Sequence, residues 1–335
     1  MPEAPIQRLI TALLQPATTW TIESLAHQTH LTATQVKQAL DEITRQGCTF
    51  THTSPTAIQL QRSALTTWAD HLEHTLPRNG WPASQPHIEV YQQTASTQDA
   101  LRRLIHHDPA KATHAIAIAN QQEAGRGRRG RPWLARPGDA LLISFTWPQT
   151  PKDPIEAASI RAALAITDLI DQHPAHTTPT IRWPNDILLS NRKVAGILVE
   201  HQQDKQNQTH AIIGIGLNVH GHPNLPDAPH RLDDTSNAPT SLASNGIHID
   251  RLWAATSLLT NYARISRLPQ QQLAAQWKQR SSDLGRHIIL NVSGRPIEGE
   301  VVGLDLNDGL ILRDHLGTQH HIPAAHATRS AEPSA

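Results

Sequence analysis

Gly125-Arg126-Gly127-Arg128-Arg129-Gly130-Arg131 is the stretch on which the fold assignment turns. Glycine lets a backbone turn tightly and approach a ligand closely, and an arginine guanidinium keeps its charge at every relevant pH. The combination suits an anion. A solvated basic loop or a nucleic-acid patch has the same composition, and the stretch by itself does not separate these readings. As a pattern it also satisfies G-x-G-x-x-G, the fingerprint of a dinucleotide-binding turn, but such a turn runs from a strand straight into an amphipathic helix. Residues 114–120 alternate like a strand, whereas Pro132 and Trp133 follow with no helical period. A Rossmann turn is therefore excluded, and the arginines themselves must neutralise the ligand.

Outward from the loop, the flanks read as one mixed α+β domain over 87–283, a central β-sheet with helices. Residues 88–91 form a short strand, and Ser96 with Asp99 three positions later predicts a capping box opening a helix that carries Leu101, Leu104 and Ile105. After Pro137-Gly138, residues 140–147 are a largely apolar strand. Asp153, Pro154 at the first helical position and Glu156 predict the start of a long helix, with Ile160, Ala163, Leu164, Thr167 and Ile170 facing inward. Strand-like runs follow at 180–183, 193–200 and 211–219. Helical stripes at Leu252, Ala255, Leu258, Leu259, Tyr262 and Ile265, then Leu273 and Trp277, close the domain.

Toward the N-terminus, Ile6, Leu9, Ile10, Leu13 and Leu14 make an amphipathic stripe, and a second helix is predicted over 21–30. Thr32 with Gln35 is a capping box for a third, lined by Val36, Ala39, Leu40 and Ile43 and stopped by Gly47. The alternating runs 48–52 and 57–61, broken at Ser54-Pro55, add a two-stranded ribbon. Over 1–63 these elements predict a winged helix-turn-helix, whose DNA contacts would fall on Thr32, Thr34, Gln35 and Lys37. Phosphate contacts supply much of DNA affinity, and few are on offer: Lys37 and Arg45 stand against Asp41 and Glu42, and the ribbon has no lysine or arginine before Arg62. The competing reading is a module that packs on its neighbour or on a second subunit. A helix and a linker occupy 64–86, with Pro77, Pro82 and Pro86 expected to prevent regular structure. From 284 to 331, short alternating strands at 287–292, 299–306 and 309–313, the last after an Asn307-Asp308-Gly309 turn, predict a small SH3-like β barrel.

Lysine plus arginine (29) equals aspartate plus glutamate (29), so no global field drives the chain onto nucleic acid or an anionic membrane. A single cysteine, Cys48, excludes an intrachain disulfide and a four-cysteine zinc site. The 22 histidines include no H-E-x-x-H, and no resident metal site is expected. There is no basic-then-apolar export signal, and no apolar run approaches the roughly 20 residues of a bilayer crossing. The expectation is a cytoplasmic protein with no membrane partner.

Five constellations in the middle domain call for one explanation: Ser96-Thr97; 122–131; Arg182-Trp183-Pro184-Asn185-Asp186; 191–200 with Lys193; and Gly214-Ile215-Gly216-Leu217-Asn218. Each has a structural reading alone, with Lys193 solvated, Asp186 capping a turn and Asn218 satisfying its own loop. In this order they resemble the biotin protein ligase family. With the flanking modules, the resemblance over residues 6–329 is to its bifunctional ligase and biotin-operon repressor type.

The resemblance implies activation of biotin by ATP and Mg2+ to biotinyl-5'-AMP, then transfer of biotin to a lysine of a biotin carboxyl carrier protein domain. It puts Arg126 and Arg128 in a mobile lid, Lys193 at the reacting carboxylate and phosphoryl oxygens, and Asp186 in a role orienting metal or the incoming amine. Ser96, Thr97, Gln122, Gly125, Arg126, Trp133 and Lys193 would hold biotin; Arg128, Arg131, Asn218 and Arg329 would hold the nucleotide. Operator DNA and a homodimer are further partners it allows. The chain departs from the family pattern at Arg182, where lysine is common, and at Ala140, where glycine or asparagine is usual. The ribbon also lacks the Gly-Lys-Gly segment of repressor-type members, and no aromatic stands near Pro239-Thr240-Ser241-Leu242 to stack on adenine. The alternative function is a biotin-responsive DNA-binding regulator without significant ligase turnover.

Overall fold

The computed structural model describes residues 4–329 apart from 17, 150–152, 155, 174–176 and 224–237. The N-terminal part holds α1 (Pro5–Leu13), α2 (Ile22–Thr29) and α3 (Ala33–Arg45), which bury Leu9, Ile10, Leu13, Leu25, Val36 and Ile43. The second and third helices start on reciprocal caps. Thr21 and Ser24 form one at α2; at α3, Gln35 N donates to Thr32 Oγ1 at 3.2 Å and Thr32 N to Gln35 Oε1 at 2.9 Å. Each pair satisfies N–H groups that a first helical turn leaves without partners. The strands β1 (Trp20–Thr21), β2 (Thr49–Ser54) and β3 (Ala57–Arg62) form a sheet in the order β1-β3-β2, so the expected ribbon gains a short third strand.

Helix α4 (Trp68–Arg78) runs through Pro77, where the sequence predicted irregular chain. The proline falls in the last turn, which Asn79 and Gly80 close by donating to the carbonyls of Thr75, Leu76 and Pro77. Asp250 joins this part to the rest: its carboxylate accepts Ser63 N and Ser63 Oγ, each at 2.7 Å, and Trp68 Nε1 donates to the same hydroxyl at 2.9 Å.

The central sheet comprises β4 (Ile88–Tyr91), β5 (Ile116–Ala119), β6 (Ala140–Gln149), β7 (Thr180–Arg182), β8 (Asp186–Leu189), β9 (Arg192–Gln203) and β10 (Thr209–Asn218). Their order is β4-β5-β6-β10-β9-β8-β7, with β4 and β5 parallel and the other neighbours antiparallel. Helices α5 (Thr97–His107) and α6 (Pro109–Ala112) link β4 to β5, α7 (Ala157–Asp171) follows β6, and α8 (Arg251–Ile265) and α9 (Gln270–Arg280) follow β10. Apolar on nearly every side, α7 is buried against α8, α9 and β9. Side chains such as its Ile160, Leu164 and Leu169 each stabilise the fold by about 1.5–3 kcal/mol relative to exposure.

Two sequence expectations for this sheet are corrected. Helix α7 begins at Ala157, not at Pro154, because Glu156 is held by the C-terminal part: its N–H donates to Leu306 O at 3.0 Å and its carboxylate accepts Ala324 N at 2.8 Å. A fourth strand, β8, stands where three runs were expected. It is short and turns into β9 at Ser190 and Asn191, both in the left-handed region with φ of 52° and 57°.

The C-terminal strands β11 (His287–Val292), β12 (Arg295–Asp305), β13 (Gly309–Arg313), β14 (Gln319–Ile322) and β15 (Ala327–Arg329) form a sheet in the order β14-β13-β12-β11-β15. β12 starts at Arg295 rather than 299, since Ser293 and Gly294 (φ 51° and 90°) make a tight hairpin with β11. The last two strands were too short to show alternation.

Candidate active site

A cavity of about 230 Å³ lies against β9 and β10 in the middle of the central sheet. Its floor is glycine. Gly216 pairs with Gly196 across the two strands, and Trp133 lies over both. A Cβ at Gly216 would stand 2.3 Å from Trp133 Cε2, one at Gly196 2.8 Å from Cζ3, and one at Gly214 2.9 Å from Gln98 Nε2. Only a strand bare of side chains leaves room here for a flat group. The Trp133 indole Nε1 is buried with no hydrogen-bond partner among the described residues.

One end of the cavity is polar and neutral. Ser96 and Thr97 open α5, but the predicted capping box with Asp99 does not form: Ser96 makes no side-chain cap bond and Asp99 turns to Arg126. Gln122 takes over the cap, its Oε1 accepting Thr97 N at 2.7 Å and Thr97 Oγ1 at 3.0 Å. Thr97 Oγ1 is also 2.7 Å from Ser144 Oγ. Hydroxyls and an amide, which both donate and accept, suit an uncharged polar ligand group.

The other end is charged. Asp186 lies 2.5 Å from Lys193 Nζ and 2.8 Å from Arg182 Nη2, one cation on each oxygen. Burial pushes its carboxyl up, but the two cations outweigh burial and hold it below the usual carboxylate range. The β7–β8 register sets Arg182 opposite Asp186. Lys193 is fixed through its backbone, donating to Ala238 O at 3.0 Å and accepting Thr240 N at 2.9 Å, and its Nζ stands 5.5 Å from the Trp133 ring centroid.

The arginine loop forms the remaining wall, turning at Arg129 (φ 57°) and Gly130 (φ 71°). Trp133 N donates to Gly125 O at 2.9 Å, and a Cβ at Gly125 would meet Trp133 O at 2.7 Å. Arg126 forks onto Asp99 with two bonds of 2.7 Å. Arg128 donates to the carbonyls of Ala324 and Ala327, and Arg129 Nη1 to Thr328 Oγ1 at 3.0 Å. Burial lowers the Arg128 pKa, as it raises that of Glu156 nearby. Asp283, 1 % exposed, ties two walls together by accepting Trp183 N at 3.0 Å and Arg329 Nη1 at 2.7 Å.

Of the residues expected at a site, Ser96, Thr97, Gln122, Arg126, Arg128, Arg131, Trp133, Asp186, Lys193 and Arg329 all line this cavity. Gly125 backs Trp133 instead. Asn218 lies off the wall, buried, with Nδ2 donating to Thr240 O at 2.9 Å and Oδ1 without a partner among the described residues. Thr32, Thr34, Gln35 and Lys37 stand on or beside α3, apart from the cavity; Thr32 and Gln35 serve the cap while Thr34 and Lys37 are exposed. Sequence reasoning missed Gln98, Asp99, Ser144 and Asp283 as parts of the site. Only Ser144 carried a signal, a hydroxyl in an otherwise apolar strand that burial obliges to find a partner.

Residues 90–218 match the biotin/lipoate A/B protein ligase family. The chain is 34% identical to the biotin–acetyl-CoA-carboxylase ligase of Mycobacterium tuberculosis, over 66% of this chain and 80% of that one. It is 32% identical to the Paracoccus denitrificans ligase of the same name, over 65% of this chain and 91% of that one. The bifunctional ligase/repressor BirA of Bacillus subtilis is 28% identical over 69% of this chain and 70% of its own. The solved biotin protein ligase of Aquifex aeolicus in complex with biotin and ATP shares the fold, with a TM-score of 0.57 at 21% identity over 73% of this chain and 99% of that one. The chain belongs to the biotin protein ligase family.

Proposed function

We propose that the protein activates biotin with ATP and transfers it to a lysine of a biotin carboxyl carrier domain. The observation that carries this reading is one cavity with Trp133 packed on a glycine floor, neutral hydroxyls and an amide at one end and Lys193 with arginines at the other. Biotin has the matching form: a compact, uncharged ureido ring system with a carboxylate on a tail. Its carboxylate oxygen attacks the α-phosphorus of ATP, and pyrophosphate leaves with the electron pair of the broken P–O bond. Two anions meet in that step, so Lys193, Arg128 and Arg131 work by preorganised charge. In the second step a lysine amine attacks the acyl carbon, AMP leaves and the amine loses a proton. Asp186, held below the usual carboxylate range between two cations, is a poor base, and its role is to fix Lys193. In this reading Asn218 and Arg329 serve the nucleotide.

No group of three acidic, cysteine or histidine side chains among the described residues is placed to hold a metal ion, and both oxygens of Asp186 already face cations. The side chains do not fit a resident magnesium site, and the Mg2+ of our reading arrives on the nucleotide phosphates. The test is mass spectrometry of a carrier domain incubated with protein, ATP, Mg2+ and biotin, with lipoate as the competing acid. A gain of one biotinyl group with biotin alone is expected; no gain, or a gain from lipoate, would refute the reading. Loss of turnover with biotin still bound would favour a regulator without ligase activity.

The N-terminal elements read as a winged helix-turn-helix, with the C-terminal sheet as an SH3-like module. DNA binding is a second reading, favoured by the exposure of Thr34 and Lys37 at the start of α3 and by similarity to proteins named ligase/repressor. A mobility-shift titration at low salt with and without biotin and ATP decides it: no shift in either leaves ligation alone. Val199 to Gln203 on β9 pair with β10 on one side only among the described residues, which gives a second copy of the chain an edge to pair with. No described helix is long and apolar enough to cross a membrane.

A further inference from the structure

The lid is fastened to α5 by more than its covalent ends. Backbone bonds run from Thr94 N to Gln121 O at 3.1 Å, Glu123 N to Thr94 O at 3.0 Å and Ala124 N to Ala95 O at 2.9 Å, and Gln122 caps Thr97. The next link is Asp99. Its Oδ2 accepts Arg126 Nη1 and its Oδ1 accepts Arg126 Nη2, both at 2.7 Å, and Oδ1 also accepts Arg102 Nη1 at 2.5 Å. Arg102 Nη2 in turn donates to Glu200 Oε2 at 2.8 Å, which lies 4.0 Å from Arg126 Nη2. Helix start, lid and β9 are thus closed into one ring of alternating charge.

This arrangement uses a residue that a local rule assigns elsewhere. At the third position of α5 an aspartate belongs to a capping box, and here it has left the backbone for the lid. The end-on fork of Arg126 is committed to it, and the charge of Arg126 is balanced by Asp99 instead of being left for a phosphate. Positive charge at the cavity then comes from Lys193, Arg128 and Arg131, while Arg126 works as a fastener.

We infer that Asp99 is a positioning residue that holds Arg126, and with it the lid, over the cavity before and after adenylate forms. The part concerning the adenylate rests on the ligase reading; the part concerning the lid does not. The lid's own arginines make it a trypsin substrate, so cleavage within 126–131 of the ligand-free full-length protein reports opening directly. Losing one charge of a bidentate, partly exposed pair is worth about 1 kcal/mol, so Asp99→Asn should raise both lid cleavage and adenylate release about fivefold, with a smaller change in the rate of adenylate formation. Arg126→Lys, which keeps the charge and loses the fork, should show the same two increases, and Asp99→Glu should reverse most of them. Circular dichroism and melting identify any variant that does not fold, and Arg126→Lys then carries the test. Wild-type rates of lid cleavage in both Asp99→Asn and Arg126→Lys would overturn the proposal. Faster cleavage with unchanged adenylate release would overturn its second half. If wild type forms no adenylate, the ligase reading fails and the cleavage arm still decides the first half.

Discussion

The N-termini of α3 and α5 carry the same kind of signal and put it to different use. Thr32 with Gln35 and Ser96 with Asp99 both fit the capping-box pattern. At α3 the box forms; at α5 Gln122 supplies the cap, Ser96 lines the cavity and Asp99 holds Arg126. What each end faces makes the difference. The start of α3 is exposed, so nothing competes with the local bonds. The start of α5 is buried beside an arginine loop, and a carboxylate offered a guanidinium fork gains more from a bidentate charge-assisted pair than from one backbone N–H. Where a local rule fails inside a well-packed fold, the failure points to the site.

The comparison breaks most decisively if the α5 side proves inert. Lys193→Ala should slow adenylate formation about 10²–10³-fold, the scale for removing one preorganised group that meets developing charge. Lys37→Ala at α3 should leave that rate unchanged. Single-turnover pyrophosphate release measures both. Because Asp186 keeps Arg182 at 2.8 Å, the Lys193 variant retains a partner for its buried carboxylate and should remain folded. A wild-type rate in that variant would remove Lys193 from the chemistry.

The same contrast explains what was legible in the sequence. The helices of the N-terminal part, the caps at α3 and the strands flanking the arginine loop follow from neighbours within a few positions, and pattern reading finds them. Gly196 and Gly216 are glycine because of Trp133, which is remote in sequence and reaches them only through the fold. Glu156 leaves its helix for Ala324, and Asp283 joins Trp183 to Arg329; no local period encodes either contact. The resemblance to a family named residues that the fold brings to one cavity, Arg126 among them. The carboxylate that holds Arg126 emerged only from three-dimensional contacts.

Paired substitutions at the two helix starts sharpen the contrast at smaller amplitude. Thr32→Ala removes a working cap and should cost about 1 kcal/mol of stability with no change in KM for biotin. Ser96→Ala removes no cap and should leave the melting temperature unchanged while raising KM for biotin about fivefold, the scale of one hydrogen bond of about 1 kcal/mol. Thermal melts and steady-state kinetics on both variants check this. If Ser96→Ala destabilises and spares KM, α5 is capped like α3 and its contrast with α3 disappears.

The smallest effect separates the two ends by acid. Hydrogen bonding to Arg126 lowers the Asp99 pKa below its ordinary 3.8; burial opposes the shift, and the charges of Arg126 and Arg102 add to it. A folded-state pKa below the unfolded value means that the contribution is complete above the unfolded pKa and is lost as pH falls through the folded one. The hold on the lid should therefore be constant from neutral pH into mild acid and weaken only below about 4. The cap at α3 rests on Thr32 and Gln35, which do not titrate, and gives no such loss. Pepsin reads both in one digest, since Leu134 at the end of the lid is 53% exposed and Leu40 and Ile43 lie within α3. Between about pH 5 and pH 3, cleavage at the lid should rise relative to cleavage in α3, and in Asp99→Asn that ratio should start high and stay flat. Global acid unfolding would raise both cleavages together and leave the ratio where it was, so a flat ratio in wild type would show that Asp99 is not what the lid hangs on.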